Sequence, residues 1–466
     1  MIAKIKNHTF MFWIAGLVSL GGILYGYDVG VISGALLFMK NSIPMSDTQT
    51  GLIVGAVLGG GLIGTLAAGP IGDRYGRRLL IMTSSVVFIL GVGMVLFAHS
   101  FAMILGARLF LGAGVGIVSV AVPLYVTEMV PANDRGKYMT FFQLLLTFGI
   151  VLAYVVDLLF TPSGNWRAMF AVVLVPATVL LAGMFFLPES PRWLVANNQE
   201  QRARAVLLRL SPSVAQADED IRLIRASLRQ THGTLRELLS REFWVPAAAA
   251  VTIAIFNQLT GINSFLQYAP LILKNAGIGS DMISMLGSAG IGVLNFLCTF
   301  LAVMLIDTVG RRPLLLAGVT GVMISEIYLG AIQSLGWSPF AQGILSLAGL
   351  FAFIVSFAIG PGVVVWLAIS ELFPTRVRGK GIALCLFFNS LASTLLATFF
   401  LPVSHALGMG CTYWLFAAFS FVYLLAAYFL LPETKTRSLE EIQSQFQSQF
   451  QQKNGNPELL AAKVVE

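Results

Sequence analysis

Two charged residues stand where charge is expensive. Asp28 lies in the middle of residues 10–39, a stretch otherwise almost wholly apolar and long enough to cross a bilayer. A carboxylate at that depth costs at least about 2.5–3.5 kcal/mol on insertion scales, so it needs a protein interior or a wet cavity, and a partner. Arg108, of opposite sign, follows 80 residues later in another apolar stretch. Asp28 is 18 residues into its stretch, about 27 Å of helix from the near end; Arg108 stands 20 residues before Glu128, about 30 Å from the same face. Matching depths make a pair geometrically reasonable. A carboxylate beside a guanidinium stays ionised; separated from it in an apolar site, it takes up a proton. Such a pair points to ion-coupled transport. A static ion pair tying two helices together is the alternative.

The elements that must hold these charges are membrane helices. The 466 residues are 57% hydrophobic and 11% charged, against about 25% charged in soluble domains. Twelve stretches reach the roughly 20 residues a spanning helix needs, at about 10–39, 50–71, 79–98, 101–129, 138–160, 166–187, 244–273, 281–306, 313–334, 341–370, 381–402 and 411–431. Barrel strands would alternate and run only about 10 residues. Every Lys and Arg except Lys40, Arg167, Lys274 and Arg108 falls on one side if both termini are inside. Positively charged loops remain inside. This asymmetry accounts for the net charge of +7 without nucleic acid. It also orients a multi-pass chain with both termini cytoplasmic; the plasma membrane (the inner membrane of a bacterium) is the expected location. Cys298, Cys385 and Cys411 lie in apolar stretches without metal-ligand spacing and read as core residues.

The polar insertion at about 189–242 carries eight arginines from Arg202 to Arg241, with Ile221, Ile224 and Leu228 at helical spacing. It reads as short amphipathic helices under the bundle, either a solvated connector, the preferred reading, or a polybasic lipid-binding segment. Around it the chain repeats. Asp73-Arg-Tyr-Gly-Arg77-Arg78 matches Asp307-Thr-Val-Gly-Arg311-Arg312; Glu128 through Arg135 matches Glu371 through Arg378; Pro188-Glu189, followed by Arg192, matches Pro432-Glu433. The offsets are 234, 243 and 244 residues. Parallel six-helix halves of this kind bind their substrate between them near the midplane. The expected organisation is therefore an N-terminal half at 1–188, a linker at 189–242, a C-terminal half at 243–432 and a tail at 433–466. Asp73, Arg77, Glu128, Arg135, Glu189, Arg192, Asp307, Arg311, Glu371, Arg378 and Glu433 form a candidate cytoplasmic gate. Its ion pairs would latch that side while the other is open. Surface pairs worth under about 1 kcal/mol are the alternative.

These motifs, with Gly26-Tyr27-Asp28, Ser33-Gly34, Pro188-Glu-Ser-Pro-Arg192-Trp193-Leu194 and Gln258-Leu-Thr-Gly261-Ile262-Asn263, resemble the sugar porter family of the major facilitator superfamily over essentially the whole chain. The resemblance implies an all-α membrane protein with twelve helices in two pseudo-symmetric halves, alternating access, and a monosaccharide or cyclic polyol as substrate. It marks Gln143, Asn257, Gln258, Asn263, Asn295 and Asn389 as hydrogen-bonding groups and Trp366 as a stacking platform. Amides donate and accept without charge, and each costs free energy within a span unless paired. Helix–helix hydrogen bonding would account for any one of them, but poorly for the set.

Departures from the family concern Gln267-Tyr268, where two aromatics are common, Ser390, where Trp is common, and Ile150, where some members carry Gln. Lost aromatic wall and added polarity point to a more symmetrically hydroxylated ligand such as myo-inositol, with hexoses and pentoses as alternatives. Gly261 and Gly360-Pro361-Gly362 are candidate helix bends. In the family's proton symporters the equivalents of Asp28 and Arg108 couple transport. Its uniporters typically have an amide at the Asp28 position and often a Glu where this chain has Ala358, so symport is expected over facilitation. A sugar sensor on the same scaffold would have a long signalling tail. No catalytic or metal-binding constellation is present, so no enzyme and no cofactor other than the coupling proton is expected. The functional unit is expected to be a monomer. Asp157 and Glu326 are further intramembrane acids without an assigned partner.

Overall fold

The computed structural model describes residues 2–130, 135–211, 213–229, 235–238, 240, 243–373 and 377–431, without the side chains of 2–10, 135–137, 229, 235, 236 and 307. Of the gate candidates, Glu433 and the side chains of Arg135 and Asp307 lie outside the described residues. Among the described residues, twelve helices are long and apolar enough to cross a membrane: Met11–Ser42, Asp47–Tyr75, Arg77–Leu96, Phe101–Met129, Tyr138–Ser163, Trp166–Met184, Trp244–Asn275, Asp281–Ile306, Arg311–Ser334, Pro339–Leu372, Arg378–Leu407 and Met409–Leu430, here spans one to twelve. Lipid offers backbone groups no hydrogen bonds, so each segment must satisfy its own as a helix. Span two begins with a reciprocal cap: the Ser46 side chain accepts from the Gln49 N–H, and the Gln49 side chain accepts from the Ser46 N–H.

The two candidate bends are breaks. Span seven is Trp244–Leu259 and Ile262–Asn275, joined through Gly261 at φ 82°, a left-handed conformation that glycine adopts without steric cost. Span ten is Pro339–Ile359 and Pro361–Leu372, interrupted where Pro361 has no N–H to give.

Within the first half, span two packs on span four and span one on span five. Within the second, span nine packs on spans ten and twelve, and span seven on span eleven. The halves meet through spans two and eleven, five and eight, and one and seven. Glycine permits the closest approaches. A Cβ at Gly60 or Gly64 would collide with the span-four backbone at Leu109 or Ala113, and one at Gly51 or Gly55 with Thr398 of span eleven. Span two is thereby held on two sides.

Between the halves lie linker helices Pro191–Ala196, Glu200–Leu210, Val214–Arg229 and Leu235–Leu238. Leu207, Ala217 and Ile221 form their buried seam. Cys298 and Cys385 are buried as expected of core thiols, but Cys411 is exposed; its helix turns that face outward, where lipid tolerates a small apolar group.

Candidate functional site

Asp28 and Arg108 meet in the interior of the first half. Arg108 Nη1 donates to Asp28 Oδ1 at 2.7 Å, and the two side chains are 0% and 4% exposed. The guanidinium also lies over the Phe170 ring, 5.6 Å from its centroid. Asp28 Oδ2, Arg108 Nε and Arg108 Nη2 are buried with no hydrogen-bond partner among the described residues. One hydrogen bond thus carries a pair that could make several, and the rest of its capacity is idle. Span one supplies Asp28, span four Arg108 and span six Phe170.

Beside the pair opens a central cavity of about 360 Å³ between the halves. Tyr25 and Val29, the neighbours of Asp28 on span one, line it. So do Gln143, Ile150, Asn257, Gln258, Asn263, Asn295, Trp366, Asn389 and Ser390. The amides are linked. Gln258 Nε2 donates to Asn389 Oδ1 at 3.2 Å; Asn263 Nδ2 donates to Gln258 Oε1 at 2.9 Å and to Ser393 Oγ at 2.7 Å; Asn389 Nδ2 donates to the Ala254 carbonyl at 2.8 Å. The Gly261 break makes this network possible, because it lets span seven present Asn257 and Gln258 from one segment and Asn263 from another. Preset amides above an indole face suit a neutral ring that is polar at its edge and apolar on its faces.

Gln267 and Tyr268 do not line the cavity. The segment's cavity face is Ile262, Asn263 and Leu266, and the next two residues turn off it by helical geometry. The Tyr268 hydroxyl donates to the Ala397 carbonyl at 3.0 Å while its ring stacks on Phe400. Gln267 is fully buried, and neither of its amide atoms has a partner among the described residues. The sequence reading missed Thr147, Thr299 and Ser393. Each lies one helical turn after a chosen amide, Gln143, Asn295 or Asn389, and the first two line the cavity. The i, i+4 rule would have found all three.

The two ends of the bundle differ. On the face away from the linker, contacts cross between the halves: His405 Nδ1 meets Asp47 Oδ2 at 2.6 Å, and the Tyr154 hydroxyl donates to the Leu266 carbonyl at 2.7 Å. On the linker face, the described ion pairs stay inside one half. Arg77 joins Asp73 and Glu128, each at 3.1 Å, and Arg311 joins Glu371 at 3.5 Å. Glu189 caps the start of span three, accepting from the N–H groups of Arg77 at 3.0 Å and Arg78 at 3.1 Å. Burial pushes the Glu189 carboxyl above its usual range, against the pull of the N–H groups of Ser190, Arg78 and Arg77 and the Arg77 charge. A side chain at Gly76, φ 98°, would strike that carboxylate. Arg192 has no ion-pair partner among the described residues, and the Arg378 Nε–H donates to the Phe373 carbonyl at 3.1 Å. Asp157 accepts from the Gly34 N–H at 3.0 Å, tying span five to span one. Glu326 faces Ser420 of span twelve, fully buried.

The arrangement has close relatives. The family model described as "Sugar (and other) transporter" matches residues 14–446. A probable metabolite transport protein of Bacillus subtilis, CsbC, is 37% identical over 96% of this chain and 97% of its own. The galactose-proton symporter of Escherichia coli is 34% identical over 94% and 95%. The inward-open structure of the E. coli xylose transporter XylE superposes with a TM-score of 0.81 at 28% identity, covering 93% of this chain and 99% of that one. XylE bound to 6-bromo-6-deoxy-D-glucose gives 0.77. The chain therefore belongs to the sugar transporter family of the major facilitator superfamily, whose members carry substrates across membranes rather than transform them.

Proposed function

We propose that this protein is a proton-coupled symporter of a neutral monosaccharide or cyclic polyol, captured here open to the linker side. That side, by its basic loops, is the cytoplasm. The observation that carries the reading is the buried, under-bonded Arg108–Asp28 pair one helical turn from a cavity lined by amides. With the guanidinium beside it, Asp28 is ionised and its proton has gone to the cytoplasm. When the halves rock and spans one and four shift within the first half so that Arg108 withdraws, the stranded carboxylate takes a proton from the other side. Protonation neutralises Asp28 and permits the return. Sugar binding shares the cycle because Tyr25 and Val29 join the proton site to the cavity wall.

A neutral sugar carried with one proton moves one net charge, worth about 2.3 kcal/mol per 100 mV, or roughly 50-fold accumulation before any pH gradient. The cross-half contacts on the outer face, with linker-face ion pairs confined to each half, support an inward-open state and a cytoplasmic latch that is released in it. One chain holds both the proton site and the cavity, so the monomer is the working unit. Proteoliposomes with an imposed inward-directed proton gradient, acid outside, screened with hexoses, pentoses and inositols, test the proposal. Uphill uptake of one of them is expected; downhill movement alone, unaffected by the gradient, would make the protein a facilitator.

A further inference from the structure

A second cavity, about 580 Å³, opens where spans three and six meet the linker. Its walls include Arg78, Leu79, Met82, Trp193, Arg202, Ala205, Val206 and Arg209. Among the described side chains, the arginines of helices Glu200–Leu210 and Val214–Arg229 divide into two groups. Arg204 pairs with Asp218 at 2.7 Å, Arg222 with Glu219 at 2.7 Å, and Arg225 with Glu200. Arg202 and Arg209, both exposed, have no acidic partner among the described residues and point into this cavity. Seven residues apart, they occupy one face of the Glu200–Leu210 helix. Arg78 closes the opposite wall, anchored by Nε to the Met184 carbonyl at 2.9 Å and by Nη2 to that of Phe185 at 3.0 Å.

The cavity contains one carboxylate, Glu189, whose oxygens already accept the N–H groups of Arg77, Arg78 and Ser190. The apolar part of the wall includes Leu79 and Met82 of span three, and Leu79 is 46% exposed. Three guanidiniums at the linker end of span three, beside an apolar wall that includes Leu79 and Met82, match an anionic headgroup with its acyl chains attached. A soluble anion would use the guanidiniums and leave the apolar walls idle.

We propose that this cavity binds one anionic phospholipid, its phosphate held by Arg78, Arg202 and Arg209 and its chains lying along Leu79 and Met82. The site clamps the linker to the first half only. It is independent of the sugar cavity and of proton coupling, so its test does not use transport. Native mass spectrometry of the purified full chain, titrated with phosphatidylglycerol, should show one saturable adduct that phosphatidylcholine does not form. R202Q/R209Q should weaken that adduct on the order of tenfold or more, since each arginine near a headgroup contributes about 1 kcal/mol. R204Q/R225Q, with the same loss of charge on the paired side, should leave it unchanged. Ala205→Trp fills the cavity with all arginines in place and should abolish the adduct. Equal binding by the two double variants, equal binding of phosphatidylcholine, or an Ala205→Trp protein that still binds would overturn the site. Displacement of the lipid by millimolar inorganic phosphate would reassign it to a soluble anion and overturn the proposal as well.

Discussion

The two halves began as one repeat and now differ in what they bury. The first half encloses a charge pair, Asp28–Arg108, within unbroken spans one and four. The second encloses amides and breaks its equivalents, spans seven and ten, at Gly261 and at Gly360-Pro361. The physical demands explain the divergence. A titrating acid needs a setting of low dielectric, in which gain or loss of a proton changes the energy of the whole half. A sugar needs hydrogen-bonding groups aimed from several directions, and a straight helix presents only one face. Breaking span seven adds a direction, and Asn263 uses it to reach both Gln258 and Ser393. On this reading the first half sets the driving force and the second sets the substrate.

Substitutions should separate these roles. The largest effect is expected from Asp28→Asn: uphill accumulation, roughly 50-fold at 100 mV, should vanish while counterflow of labelled substrate persists. A variant that still concentrates substrate would refute the assignment. In the second half, Asn389→Ala removes the acceptor of Gln258 Nε2 and an amide from the cavity wall. Leaving a donor without its acceptor costs about 1–3 kcal/mol, so apparent affinity should fall roughly 5- to 150-fold. The proton-to-substrate ratio from paired flux measurements should not change; a changed ratio would show that coupling is shared between the halves. Gly261→Ala forces a side chain into left-handed backbone at about 1–2 kcal/mol. A lowered thermal midpoint is expected, with Gly16→Ala in span one, where a Cβ meets nothing within 4 Å, as the silent control. The smallest effect is expected from Asp47→Asn on the outer face. Its partners are partly exposed, and such pairs are worth under about 1 kcal/mol, so uptake rates should change less than about fivefold.

The charge pair was legible because its cost is local: an acid and a base in apolar spans must find each other, and their depths could be counted along each helix. The twelve spans were legible for the same reason, since hydrocarbon imposes length and composition on each segment separately. The hydroxyls beside the amides followed the helical repeat and could have been read. Gln267 and Tyr268 could not be placed, because the facing of a short segment after a break depends on a backbone rotation at Gly261 that no periodicity encodes. The Asp47–His405 contact joins residues 358 apart and exists only because the two halves close there.

The amino-acid sequence by itself therefore determined the helices, the repeat and which charged and amide groups the spans carry, because burial in lipid constrains each span independently. Only the tertiary structure decided which end of the bundle is sealed, how the amides connect, and which linker arginines are left without an acid. Those depend on how packed bodies meet, and packing joins residues that the chain keeps far apart.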